Sequence, residues 1–136
     1  MIHLNNYGWH DKLSQLKQES TYNTLTHGRI SIVHRTCYEV VSENGLFQCE
    51  LTGNMMYGKS DFELPCTGDW VLFQPFDEHK GIIVDMLPRE RTLCRKKNGT
   101  VADKQAIASY VDKAFIVQSL DDNFNVRRAE RFMVQM

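Results

Sequence analysis

The sequence predicts a mainly β domain: a five-stranded antiparallel barrel of the oligonucleotide/oligosaccharide-binding type (OB-fold), with an N-terminal helix before it and the first strand and helix of an α/β unit after it. Three observations point there. Short stretches between residues 24 and 87 alternate apolar and polar residues at period two and are rich in Val, Ile, Phe and Tyr. Turn residues separate them, and no helical period intervenes, which favours an antiparallel barrel over a parallel α/β sheet. After residue 113 the pattern changes to one nearly continuous apolar run, the mark of a strand buried on both faces.

Residues 4–19 open the chain with a helical period. Trp9, Leu13 and Leu16 share one face, with Lys12, Gln15, Lys17 and Glu19 on the others, so the helix is expected to cover a hydrophobic end of the domain. Ser20 to Asn23 is a polar linker. The first strand lies within Thr24 to Arg35, with Gly28 as a bend or bulge. The second, Cys37 to Ser42, leads through Glu43-Asn44-Gly45, a hairpin turn with a left-handed glycine. Phe47, Cys49 and Leu51 mark a half-buried third strand, and residues 53–64 form a longer loop. Pro65 and Gly68-Asp69 make a turn that launches the fourth strand, Trp70 to Phe76. Asp77 to Gly81 turns into the fifth, Ile82 to Leu87. Ala114 to Leu120 is the later apolar run. Val126 to Met136 begins a helix with Ala129, Phe132, Met133 and Met136 on one side, and the pattern reaches the last residue with no C-cap signal. The expected organisation is therefore helix and linker over 1–23, barrel over 24–99, and linker plus the start of a truncated second domain over 100–136.

With 136 residues, 42% hydrophobic and 24% charged, the chain can bury an ordinary core. A formal net charge of −1 excludes a globally basic nucleic-acid binder, so any such binding must be local. One local strip is a candidate: Arg89, Arg91, Arg95, Lys96 and Lys97 face only Glu90 in their stretch, which suits a phosphate-rich partner, with a solvated loop as the alternative. Cys37, Cys49, Cys66 and Cys94 show no C-x-x-C pair, and His34, three before Cys37, has no matching second pair, so no metal site is expected. Met1 to Asn6 is polar and uncharged, unlike a signal peptide, which points to free thiols and the cytoplasm. No apolar run reaches membrane-spanning length.

Gly53 to Ser60 satisfies G-x-x-x-x-G-K-[ST], the phosphate-cradling loop, which needs a strand before it and a helix after it. A strand precedes it, but Asp61 to Leu64 is cut off by Pro65. A nucleotide-binding enzyme using Gly53 to Ser60 stays as an alternative, and so does a protein-interaction barrel without RNA. The five histidines are scattered, and no catalytic constellation stands out.

Arg29-Ile30 and Tyr38, Gly68-Asp69-Trp70-Val71, Leu87-Pro88-Arg89, Leu93 with Arg95-Lys96, Gln105 to Ala108, Val111-Asp112, Phe115 to Val117, Asn123 to Asn125 and Arg131-Phe132 follow one another in an order and spacing that resembles the N-terminal part of the circularly permuted, ribosome-dependent GTPases (the RsgA/YjeQ/EngC family). The resemblance runs from about residue 28 to the end. It implies an OB domain that docks on ribosomal RNA late in small-subunit assembly, ahead of a GTPase domain and a C-terminal zinc domain. It implies GTP, Mg and structural Zn for the full-length family, and none of them in this chain, which ends before the guanine-reading and phosphate-loop motifs. The chain alone should therefore not hydrolyse GTP. One departure is Tyr110, where the family usually has Asn before Val-Asp, and this puts a specific interdomain contact in doubt. The expected partners are the small ribosomal subunit and its rRNA, bound by a monomer away from membranes. Candidate RNA contacts are Arg29, Arg35, Arg89, Arg91, Arg95, Lys96 and Lys97, followed by Lys59 and His34, with Tyr38, Phe47 and Tyr57 as candidate stacking platforms.

Overall fold

A computed structural model of the chain describes residues 2–56, 63–96 and 104–115. Five strands close a barrel: β1 (Thr26–Val33), β2 (Tyr38–Ser42), β3 (Gly45–Leu51), β4 (Trp70–Pro75) and β5 (Lys80–Met86). Their order around the wall is β1-β2-β3-β5-β4, and β4 returns to pair with β1. The expected OB barrel is present, with one correction to the strand directions. Four seams are antiparallel, while β3 and β5 run parallel, with Cys49 opposite Gly81 and Leu51 opposite Ile83. The reason is topological. An odd number of strands cannot alternate direction all the way around a closed ring, so at least one seam must be parallel.

The strand register follows from the turns. Ser42 pairs with Gly45, leaving Glu43-Asn44 as the two-residue connection, and Gly45 takes φ 117°. Gly28 is not the bulge; the irregularity in β1 lies between Ile30 and Ile32. Gly28 instead allows a close approach, since a Cβ there would stand 2.5 Å from Val40 Cγ1 and 2.7 Å from the Val41 carbonyl.

Two cores share the wall. Ile30, Val40, Phe47, Cys49, Val71, Phe73 and Ile83 fill the barrel, and Met55 is buried with them. Met55 comes from α2 (Gly53–Met56), a single helical turn after β3. The second core lies outside the barrel wall, where Trp70, Leu72 and Val41 meet Leu4, Leu13, Leu87 and Tyr110. Trp70 to Phe73 are therefore all fully buried, because alternate side chains of β4 serve opposite cores. The N-terminal helix does cover this outer face, but in two pieces: a 3₁₀ turn at Leu4–Tyr7 and α1 (Asp11–Glu19), with the chain turning at Gly8 between them.

Trp9 stacks on the His27 ring at 3.9 Å and 15°, and meets Trp70 edge-on at 5.0 Å. Lys17 Nζ lies 2.9 Å from His27 Nδ1. Burial, helped by the Lys17 charge and opposed by Glu43, pushes the His27 pKa down from 6.5 to about 4. The folded chain thus holds His27 neutral where the unfolded chain takes up a proton. Its contribution is complete above pH 6.5 and is lost as pH falls from 6.5 towards about 4. Discounted for the exposed part of the ring, the loss is about 1–2 kcal/mol. Thermal melts at pH 7 and pH 4.5 should show it, and His27→Gln should remove that part of the pH dependence.

Two further strands, β6 (Leu93–Lys96) and β7 (Lys104–Ala108), form a separate antiparallel pair. Residues 104–108, expected in a linker, instead pair with β6, and Tyr110 joins the outer core. The expected strand and helix over 114–136 fall almost entirely outside the described residues.

Candidate nucleic-acid interface

The turn before β4 is built on one carboxylate. Asp69 is fully buried, and its oxygens are saturated from three directions. The Cys66 amide donates to Oδ2 at 2.7 Å, and the Ser109 hydroxyl donates to Oδ1. Arg89 Nε donates to Oδ1 at 3.0 Å and Nη2 to Oδ2 at 2.9 Å. Arg89 Nη2 also donates to the Leu64 carbonyl. Burial alone would lower the Arg89 pKa, but the hydrogen bonds and charge of Asp69 outweigh it and hold the guanidinium above its ordinary value. Burial, reinforced by Asp69, pushes the Cys66 thiol up to about 12.

Arg29 is committed in a similar way. Its Nε donates to the Gly68 carbonyl at 2.9 Å, Nη1 to the Tyr7 carbonyl at 2.6 Å and Nη2 to the Tyr110 carbonyl at 3.3 Å, and the guanidinium lies over the Trp70 ring. It ties the N-terminal turn and the end of β7 to the barrel. Tyr110 takes φ 55°, donates its hydroxyl to the Pro88 carbonyl and its amide to the Glu90 carbonyl. Asparagine tolerates this left-handed conformation better, but tyrosine adds a ring to the outer core.

Other predicted contacts converge on a cleft of about 390 Å³. One wall is the β1–β2 corner with Val33, His34, Arg35 and Tyr38; the floor is Leu64 to Thr67; the far wall is the β6–β7 hairpin with Arg95 and Gln105 to Ile107. Arg35 and Arg95 are exposed, and Tyr38 is half-buried. Gln105, opposite Arg95 in the ladder, accepts from its Nη2 at 2.9 Å. The cleft thus combines two guanidinium groups, an imidazole and a phenol ring over a partly apolar floor, which is chemistry suited to phosphate and an adjoining base.

The remaining candidates are elsewhere. Arg91 is outside the cleft, half exposed, and paired with Glu90 at 3.4 Å and Asp112 at 3.5 Å. Phe47 is in the barrel core, 5.2 Å from Phe73, and offers no stacking surface. Lys96 lies on β6 opposite Lys104. Lys59, Lys97 and Tyr57 lie outside the described residues. Sequence reasoning missed Gln105 and the Leu64 to Thr67 floor. The available signal for the far wall was Asn98-Gly99, a hairpin dipeptide between Leu93 to Lys96 and the short apolar run Ala106 to Ala108 in sequence.

The phosphate-loop pattern does not present its first half as a cradle. The Met55 and Met56 amides bond back to the Thr52 carbonyl at 3.1 Å, and the Met55 side chain is in the barrel core. Among the described residues, no group of three or more His, Cys, Asp or Glu side chains is arranged to hold a metal ion, and no helix is long and apolar enough to cross a membrane. The four cysteines are free thiols.

No protein-family model matches the chain. Comparison with curated proteins is decisive: a "Small ribosomal subunit biogenesis GTPase RsgA 1" of Bacteroides thetaiotaomicron is 72% identical over 130 residues, 96% of this chain. The chain belongs to the RsgA family. An RsgA of Leptospira interrogans is 31% identical over 131 residues. The chain spans 37% of the length of the first RsgA and 35% of the second. The crystal structure of YloQ, a circularly permuted GTPase, superposes with a TM-score of 0.50 at 21% identity over 85% of this chain and 38% of that one, which supports the fold. Two motifs that carried the RsgA resemblance, Gly68-Asp69-Trp70-Val71 and Leu87-Pro88-Arg89, prove to be the two halves of the Asp69–Arg89 pair.

Proposed function

We propose that this chain is the rRNA-binding OB domain of a GTPase acting in late small-subunit biogenesis, and that it holds the RNA backbone in the cleft between the β1–β2 corner and the β6–β7 hairpin. The observation that carries the reading is the convergence of Arg35 and Arg95 on one cleft beside His34 and Tyr38. The names of the RsgA relatives supply the small-subunit context. Arg29 and Arg89 then act as internal fasteners, because their donors are spent on the fold. Lys59, Lys96, Lys97 and Arg91 remain candidates for a wider electrostatic margin. GTP hydrolysis stimulated by the ribosome belongs, in this proposal, to the part of the relatives that this chain does not span. The cytoplasm is the matching compartment.

Phosphate contacts release counterions, so binding should weaken with salt. Filter binding to purified bacterial small ribosomal subunits should fall about tenfold for two such contacts when salt rises fourfold. Arg35→Gln with Arg95→Gln should remove most of that change. Binding that is indifferent to salt would favour the protein-interaction barrel instead.

A further inference from the structure

The far wall of the cleft is not part of the barrel. β6 and β7 form their own two-stranded sheet, so something else must set Arg95 opposite Arg35. At the end of β7, Thr67 bridges to Ala108, the Ser109 amide donates to the Thr67 carbonyl at 2.9 Å, and the Ser109 hydroxyl donates to Asp69. Ser109 is 2% exposed and sits four residues beyond Gln105, which orients Arg95. The same Asp69 carboxylate holds the cleft floor through the Cys66 amide. One buried group therefore fixes both floor and far wall.

We infer that Ser109 is a positioning residue of the cleft: its hydroxyl on Asp69 locks the β6–β7 hairpin at the angle that lets Arg95 share a phosphate-rich ligand with Arg35. This rests on the phosphate-binding reading above. Ser109 does not line the cleft, and removing its hydroxyl changes neither net charge nor any surface the RNA meets. Any loss of binding must travel through the placement of the hairpin or of the floor that Asp69 also holds, and coupling to Arg95 separates the two.

The test is a double-mutant cycle on this chain, with purified bacterial small ribosomal subunits as the probe. It is run at low salt and below the unfolding transition of each variant, as checked by circular dichroism. Ser109→Ala alone should weaken binding about three- to tenfold. In the Arg95→Gln background it should add no further loss, and the single variant should show a shallower salt dependence, close to that of Arg95→Gln. Losses that simply multiply, or Ser109→Ala binding at the wild-type level while Arg95→Gln binds weakly, overturn the positioning role alone. Wild-type binding by Arg95→Gln overturns both this inference and the cleft reading.

Discussion

Arg89→Ala is expected to destabilise the chain by about 3–5 kcal/mol, because it strands a buried carboxylate without its countercharge. Asp69 is fully buried, and the Arg89 side chain is only 10% exposed. The Cys66 amide and the Ser109 hydroxyl remain as donors after the change, but neither carries charge. The Leu64 carbonyl also loses the donor supplied by Arg89, so the floor of the cleft is released together with the turn. Chemical denaturation should show the midpoint falling with little change in slope. Asp69→Asn combined with Arg89→Gln should cost less than Arg89→Ala alone, since a neutral pair leaves no stranded charge while the asparagine carbonyl still accepts from Cys66. Greater damage from the double variant would mean that the charge balance is not what holds this turn.

Gly68→Ala is expected to be comparably severe, through the backbone. Gly68 has φ 93°, a conformation that an L side chain rarely adopts. An added Cβ would stand 2.2 Å from the Ser109 carbonyl oxygen, a backbone atom that cannot rotate away. Strain and collision together should cost at least about 3 kcal/mol, read as a drop of roughly 10 °C or more in Tm. The collision pushes on the end of β7, so RNA binding should suffer in whatever fraction still folds. A variant that melts like the wild type would place Ser109 further from this turn than the structure does.

Much of this architecture was legible in the sequence, for identifiable reasons. The barrel strands betray themselves by alternation: Phe47, Cys49 and Leu51 point one way, and that same alternation explains why Phe47 is core and not a stacking platform. The Glu43-Asn44-Gly45 turn fixed a register. The parallel β3–β5 seam was hidden because strand direction around a ring depends on closure, not on local pattern. The β6–β7 hairpin was hidden behind its charge. Leu93 to Lys96 reads as part of a basic strip, although Asn98-Gly99, a strong hairpin dipeptide, stands between the two strands in sequence. Charge alone makes Arg29 and Arg89 look like RNA contacts. Asp69 is 20 residues before Arg89, and no local pattern announces that the two meet in the interior. Arg35 and Arg95, 60 positions apart in the numbering, needed the hairpin to be placed before they belonged to one cleft.

The central claim is a division of labour among arginines: Arg35 and Arg95 meet the RNA, while Arg29 and Arg89 hold the fold. The most direct measurement is the slope of log binding constant against log salt for this chain on purified bacterial small ribosomal subunits. Arg35→Gln with Arg95→Gln should flatten that slope by about 1.4–1.8, the share of two phosphate contacts. Arg89→Gln, compared where it remains folded, should lower stability and flatten the slope by less than the cleft pair does, since it acts on the RNA only through the floor that Asp69 and Leu64 hold. The opposite pattern, an unchanged slope in the cleft variant and a flattened one in Arg89→Gln, would contradict the account.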